Sequence, residues 1–220
     1  MTLLFDLDGT LLDTAPDFAY AINTLRATLG KPALSIESIR PAVSHGVEAM
    51  LYTGFELKPT DPTYTSVVQQ CIKLYQEQLA YHALPFPGIL ELLDHLESHQ
   101  IAWGIVTNKP AFLTDPLIER LKLSHRAGCV VSGDTTSHSK PHPEPLLYAC
   151  KKMSVQPEHC VYIGDAARDI EAGKAAGMFT IGALFGYIDS IEEALGWKAD
   201  YYVHQATDIW PYLQDKWLIK

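Results

Sequence analysis

An α/β fold with a mainly parallel, doubly wound sheet and an inserted all-helical domain is what this sequence predicts, on three observations. Leu3, Leu4 and Phe5 are apolar and stop abruptly at Asp6. Residues from Pro16 to about Ala83 carry helical spacing with no convincing strand. After "LPFPG" (84–88), helical and strand patterns alternate along the rest of the chain. Alternation of that kind implies a parallel sheet covered on both faces. The economical organisation is a Rossmann-type core of residues 1–14 and 86–220, interrupted by a helical domain of residues 15–85. "DTAP" (13–16) and "LPFPG" would be the connecting hinges.

The elements follow in order. Residues 2–5 predict a short buried strand. In "PDFAYAINTLRATLG", Phe18, Ala21, Ile22, Leu25 and Leu29 recur at helical spacing before Gly30 stops the helix. "SIESIRPAV" and "HGVEAMLYTGFEL" predict shorter helices. "DPTYTSVVQQCIKLYQEQLAYHAL" predicts a long one, with Asp61 as N-cap and Pro62 in its first turn. Beyond the second hinge, helix 88–99 leads to strand 101–106, helix 110–123 to strand 129–133, and helix 143–153 to strand 160–164. Helix 167–176 then leads to strand 179–185, and "ADYYV" (199–203) is a last short strand before a terminal helix.

Composition narrows the partners. Apolar residues make up 47% and charged residues 20% of 220 positions, ordinary values for a globular chain. The formal charge of −9 repels nucleic acid and anionic membranes, so neither is expected as a partner. A small anion remains compatible, because local cations or a bound metal outweigh a distant field. Cys71, Cys129, Cys150 and Cys160 lie too far apart in sequence for a zinc or redox pair, and read as reduced thiols of a cytoplasmic protein. Asp6 and Asp8 interrupt the apolar start and no basic segment precedes it, so a signal peptide is not expected. No apolar run reaches the length of a membrane span.

In open α/β sheets the carboxyl ends of the strands line the ligand crevice. Asp6, Asp8, Gly9 and Thr10 follow the first strand, and Thr107, Asn108 and Lys109 the second. Lys140 lies in the loop after the third, and Asp165 and Asp169 follow the fourth. Gathered carboxylates repel one another unless a cation or a shared proton intervenes. Oxygen ligands without His or Cys favour magnesium over zinc. Lys140, Thr107 and Asn108 would hold the phosphoryl oxygens left over, and phosphoryl transfer requires mainly such positioning and charge neutralisation.

"DLDGTLLD", "VTNKP", Lys140 and "GDAARD" together resemble the haloacid dehalogenase superfamily, in motif order and approximate spacing, over residues 6 to 169. The resemblance is to its phosphatases. It implies that Asp6 is nucleophile and magnesium ligand. Asp8 would then protonate the leaving oxygen, activate water and offer its carbonyl to the metal. Thr107 would hydrogen-bond the phosphoryl group with Asn108 beside it, and Lys140 would neutralise phosphate and Asp6. Asp165 would complete the metal site, supported by Asp169. Gly9 would let the backbone turn beside the phosphate. Ala166 departs from many relatives, which carry a polar residue there.

The helical insertion resembles the cap of phosphoglycolate phosphatase-like members, a branch that includes the N-acetylmuramic acid 6-phosphate phosphatases. By that resemblance the substrate is a small phosphorylated metabolite. Ser44, His45 and Gly46 in "SHGVEAM" would form part of the specificity surface, and Lys109 and Tyr187 could reach the leaving group. A sugar phosphomutase and a non-catalytic binding protein are the weaker alternatives, and a monomer or weak homodimer is expected. Asp13 reads as a hinge residue, and "GKAAG" (173–177) as helix packing without P-loop spacing. His138 and His142 flank Lys140.

Overall fold

The computed structural model describes residues 1–217. It divides into two units, one of residues Met1–Leu12 together with Pro85 onward, the other of Asp13–Leu84. The chain passes between them at two short paired strands, β2 (Leu12–Asp13) and β3 (Leu84–Pro85).

In the first unit, β1 (Thr2–Phe5) is central because every one of its side chains is apolar or small and is buried. Its neighbours are β4 (Trp103–Val106), in register Leu3 opposite Trp103, and β6 (Cys160–Gly164), in register Leu3 opposite Val161. Adding β5 (Val130–Val131), β7 (Phe179–Ala183) and β8 (Tyr201–Val203) gives six parallel strands in the order β5-β4-β1-β6-β7-β8. Chain reversal of this order beside β1 creates the crevice at which ligands bind in doubly wound sheets. The helices of this unit are α5 (Ile89–Ser98), α6 (Ala111–Arg120), α7 (Glu144–Met153), α8 (Ala167–Ala175), α9 (Ile191–Leu195) and α10 (Ile209–Trp217). Leu4, Val106, Val131, Leu146, Ala149 and Tyr162 meet in one buried layer between sheet and helices.

All six expected strands are present. The outer ones are shorter than the pattern suggested, β5 keeping two of the five residues in "CVVSG". The helix α9 and the two linking strands carried no recognisable signal.

The second unit contains α1 (Ala15–Thr28), α2 (Ile36–Ser44), α3 (Gly46–Phe55) and α4 (Tyr64–Glu77). Phe18 stacks on Tyr75 with ring centroids 4.0 Å apart, joining α1 to α4. The Asn23 side chain donates to the Leu34 carbonyl (2.9 Å) and accepts the Leu34 N–H (2.8 Å), and Arg26 donates to the Gly54 carbonyl. Asp13 is salt-bridged to Arg40 at 2.8 Å, which ties the entry of this unit to α2. One boundary differs from expectation: α4 does not start at Asp61. That carboxylate accepts the Lys58 N–H (2.6 Å) to close a turn, and Thr63 is the N-cap. At the other end Ala80 takes a left-handed backbone (φ +58°), so the helix cannot continue through "LAYHAL".

Candidate active site

The predicted site residues of the first unit gather past the carboxyl ends of β1, β4 and β6, with Lys140 in the loop before α7 and Asp169 in the first turn of α8, and Asp6, Thr107, Lys140, Asp165 and Asp169 are all buried. Asp6 follows β1 and is 3% exposed. Its Oδ1 accepts the Leu7 N–H (2.7 Å) and pairs with Lys140 Nζ (2.9 Å), so these interactions leave Oδ2 unengaged. Lys140 is the hub. Its Nζ also lies 2.7 Å from Asp169 Oδ1, 2.8 Å from the Tyr162 hydroxyl and 3.0 Å from the Val106 carbonyl, and the side chain is completely buried. An ammonium has three protons to give. The Tyr162 hydroxyl lies 2.9 Å from the Val106 carbonyl and can donate to it, so the three lysine protons can go to Asp6, Asp169 and Tyr162.

Asp6, Asp165 and Asp169 place ligand oxygens within 4.8 Å of one another, all buried. Burial, then the charges of Asp6 and Asp169, pushes the Asp165 carboxyl up to about 7. Burial raises Asp169 as well, against Lys140 and Arg168, which pull it down. A buried trio of acids held at such cost fits a hard divalent cation, and the absence of nitrogen or sulphur from the trio suits magnesium. The two outer acids are oriented differently. Asp165 accepts the Thr10 hydroxyl (3.0 Å) on one oxygen and the Tyr187 N–H (2.9 Å) on the other. Asp169 spends Oδ1 on Lys140 and accepts the Ala166 N–H (3.0 Å) on Oδ2. Gly9 (φ +86°) is required here twice over, because a Cβ on it would fall onto the Asp165 carboxylate.

Asp8 stands apart from the trio. Lys109 Nζ lies 3.1 and 3.4 Å from its two oxygens, with the lysine side chain only 4% exposed. Thr107 is buried, and its Oγ1 accepts the Lys109 N–H (3.1 Å). Three of the expected residues have protein partners that the sequence does not show. Lys109 is ion-paired with Asp8. The Asn108 side chain clasps the Lys140 backbone in both directions, donating to its carbonyl and accepting its N–H at 2.9 Å each. Tyr187 is 4% exposed, and its contribution to this site is a backbone N–H to Asp165.

Two residues packed into this site escaped sequence reasoning. Tyr162 sits mid-strand in "CVYIG", where an aromatic reads as core; the only hint is that a buried phenol needs a polar partner. Arg168 is the other. Burial alone would lower its guanidinium, yet the charges of Asp169, Asp6 and Asp165 outweigh that and raise it. Its Nε is buried with no hydrogen-bond partner among the described residues.

In the second unit Ser44 ends α2, His45 joins α2 to α3, and Gly46 opens α3 at φ +83°. His45, Glu48, Tyr52 and Lys58 line a cavity of about 590 Å³ within that unit.

The sequence model of the haloacid dehalogenase-like hydrolases matches residues 3–183, from β1 to β7. The chain belongs to that family. Among curated proteins, this haloacid dehalogenase-like hydrolase is 39% identical over 207 residues to the N-acetylmuramic acid 6-phosphate phosphatase of Pseudomonas aeruginosa, covering 94% of this chain and 92% of the relative. It is 39% identical over 208 residues to the phosphoglycolate phosphatase of Xanthomonas campestris pv. campestris, covering 94% of each. A crystal structure described as a predicted phosphoglycolate phosphatase from Haemophilus somnus superposes with a TM-score of 0.83 at 26% identity, over 97% of both chains. Among the described residues, no helix is long and apolar enough to cross a membrane.

Proposed function

We propose that this protein is a magnesium-dependent phosphatase that hydrolyses a small phosphorylated metabolite through an aspartyl-phosphate on Asp6, in the manner of phosphoglycolate phosphatase. The observation that carries the reading is the buried Asp6 carboxylate, with Oδ1 held by Leu7 and Lys140 and Oδ2 left for attack. Asp6, Asp165, Asp169 and the Asp8 carbonyl would hold the magnesium ion, which when bound neutralises charge on the transferring phosphoryl group.

Asp6 Oδ2 attacks phosphorus, and the bond to the leaving oxygen breaks as Asp8 hands that oxygen a proton. Asp8 then takes a proton from water, whose oxygen attacks phosphorus and frees Asp6 and inorganic phosphate. Lys109 keeps Asp8 aimed through both steps, and Thr107 fixes the backbone of Lys109. Lys140 offsets charge on Asp6 and the phosphoryl oxygens, held in place by Asp169 and Tyr162. The helical unit acts in this reading as a cap that selects the leaving group and excludes water.

A second reading, N-acetylmuramic acid 6-phosphate as substrate, is favoured by the cavity at His45. It is an open hollow of about 590 Å³ with Tyr52, Glu48 and Lys58 on its wall, aromatic and charged groups of the kind a sugar engages. Inorganic phosphate release from both compounds, with magnesium, with chelator and with Asp6→Asn protein, tests both readings. Turnover that needs magnesium and Asp6 supports the mechanism, and the preferred compound decides the substrate. Equal turnover by the Asp6→Asn protein would overturn the mechanism.

A further inference from the structure

The loop that carries Lys140 also carries a second cluster of metal-ligating side chains, facing away from the acidic trio. His138, His142 and Glu144 place ligand atoms within 4.8 Å of one another on the exposed side of this loop. His138 Nδ1 lies 2.7 Å from Glu144 Oε2, the Glu144 carboxylate also accepts the His138 N–H (3.0 Å), and the two imidazoles stack with centroids 4.2 Å apart. The Glu144 N–H donates to His142 Nδ1 (3.2 Å), and the His142 N–H donates to the Ser139 carbonyl (3.0 Å). Seven residues therefore fold into a closed turn whose two ends meet at Glu144, the first residue of α7, while Lys140 points inward from its middle.

We propose that His138, His142 and Glu144 form a binding site for a borderline-soft divalent cation of the zinc type, separate from the acidic trio, and that its occupation fixes the Lys140 loop. Two imidazoles and one carboxylate are a donor set for zinc, whereas the three buried carboxylates suit magnesium. The fit requires little movement. Ligands about 2.0–2.1 Å from a tetrahedral ion stand about 3.4 Å from each other, so exposed side chains within 4.8 Å converge by small rotations. Glu144 Oε2 already lies 2.7 Å from His138 Nδ1, so a cation would take the place of the proton between them. Lys140 adds no repulsion, because its ammonium is spent on Asp6 and Asp169. Three protein ligands leave a fourth position for water, and no step of the phosphatase reading uses this cluster.

The test is equilibrium dialysis against zinc chloride with magnesium in excess, so that the acidic trio is occupied by the commoner ion. Wild-type protein and the Asp6→Asn variant are both expected to retain one equivalent of zinc. His142→Ala and the His138→Ala/His142→Ala pair are expected to lose at least about tenfold in zinc affinity. As a second readout, zinc should raise the melting temperature of wild-type protein and leave that of the double variant unchanged. Retention of zinc at wild-type affinity by the double variant, or no retention by wild-type protein, overturns the proposal. Neither outcome bears on Asp6-dependent phosphate release, which is measured separately.

Discussion

The carboxyl end of the sheet and the helical unit handle polar groups in opposite ways. Around Lys140 most polar atoms are engaged, Asp6 Oδ2 and Arg168 Nε apart: the ammonium has four oxygen neighbours between 2.7 and 3.0 Å, and both oxygens of Asp165 and of Asp169 are bonded. The cavity wall in the helical unit is loose by comparison, with Tyr52 55% exposed. In a low-dielectric interior an unpaired charge is costly, so a saturated network fixes one geometry. An open wall of exposed side chains constrains geometry less. On the proposed function the contrast would separate two tasks: constant chemistry at the sheet, adjustable recognition in the helical unit.

Breaking the saturated end should have the largest effects. Asp6→Asn is expected to lower kcat by at least about 10⁴-fold, as loss of a nucleophile does elsewhere, with the circular-dichroism spectrum unchanged. Lys140→Ala is expected to be nearly as severe in turnover and worse in stability. It leaves Asp6 and Asp169 buried without their cation, at about 3–5 kcal/mol. Denaturant unfolding reads the second effect; a Lys140→Ala protein as stable as wild type would contradict the network described here.

Magnesium gives an intermediate case that sharpens the comparison, because it would act on only one of the two regions. A cation at about 100 times its dissociation constant adds about 2.7 kcal/mol, or about 5–10 °C in melting temperature for a chain of this size. Asp165→Asn should abolish most of that increment, and substitutions lining the helical cavity should leave it intact. Tyr162→Phe is a smaller perturbation. It removes a hydrogen bond to a charged group and leaves the ring, so kcat should fall about tenfold with KM almost unchanged. A change confined to KM would assign Tyr162 to packing alone.

These residues also show what was legible in the sequence. The six strands and the motif acids could be read because strand ends carry the chemistry in this fold, and period and motif coincide there. Asp6, Lys140, Asp165 and Asp169 were all found that way, and the structure brings their side chains together. For Asn108 and Lys109 the sequence does not reveal the protein partners, since adjacency in sequence cannot tell which way each of two neighbours turns. Asn108 turned toward the Lys140 backbone. Tyr162 was invisible because its hydroxyl meets partners contributed by residues 106, 140 and 169, and no local pattern encodes that meeting. The start of α4 was misplaced for a local reason, an Asp61 carboxylate used for a turn instead of a cap.

The smallest expected effect tests the open region. Tyr52 presents a half-exposed ring beside His45 and Glu48, and truncating it removes contact surface without disturbing buried neighbours. Tyr52→Ala should therefore unfold at the same denaturant concentration as wild type. If the cavity receives a sugar, the variant should lose about 1–3 kcal/mol of transition-state binding for N-acetylmuramic acid 6-phosphate, roughly 5–150-fold in kcat/KM. Turnover of a minimal aryl phosphate should move by less, because that leaving group does not fill the cavity. A proportionate fall for both substrates would mean that Tyr52 supports the fold of the helical unit and does not choose among leaving groups. A selective fall would place recognition at the exposed wall of the helical unit.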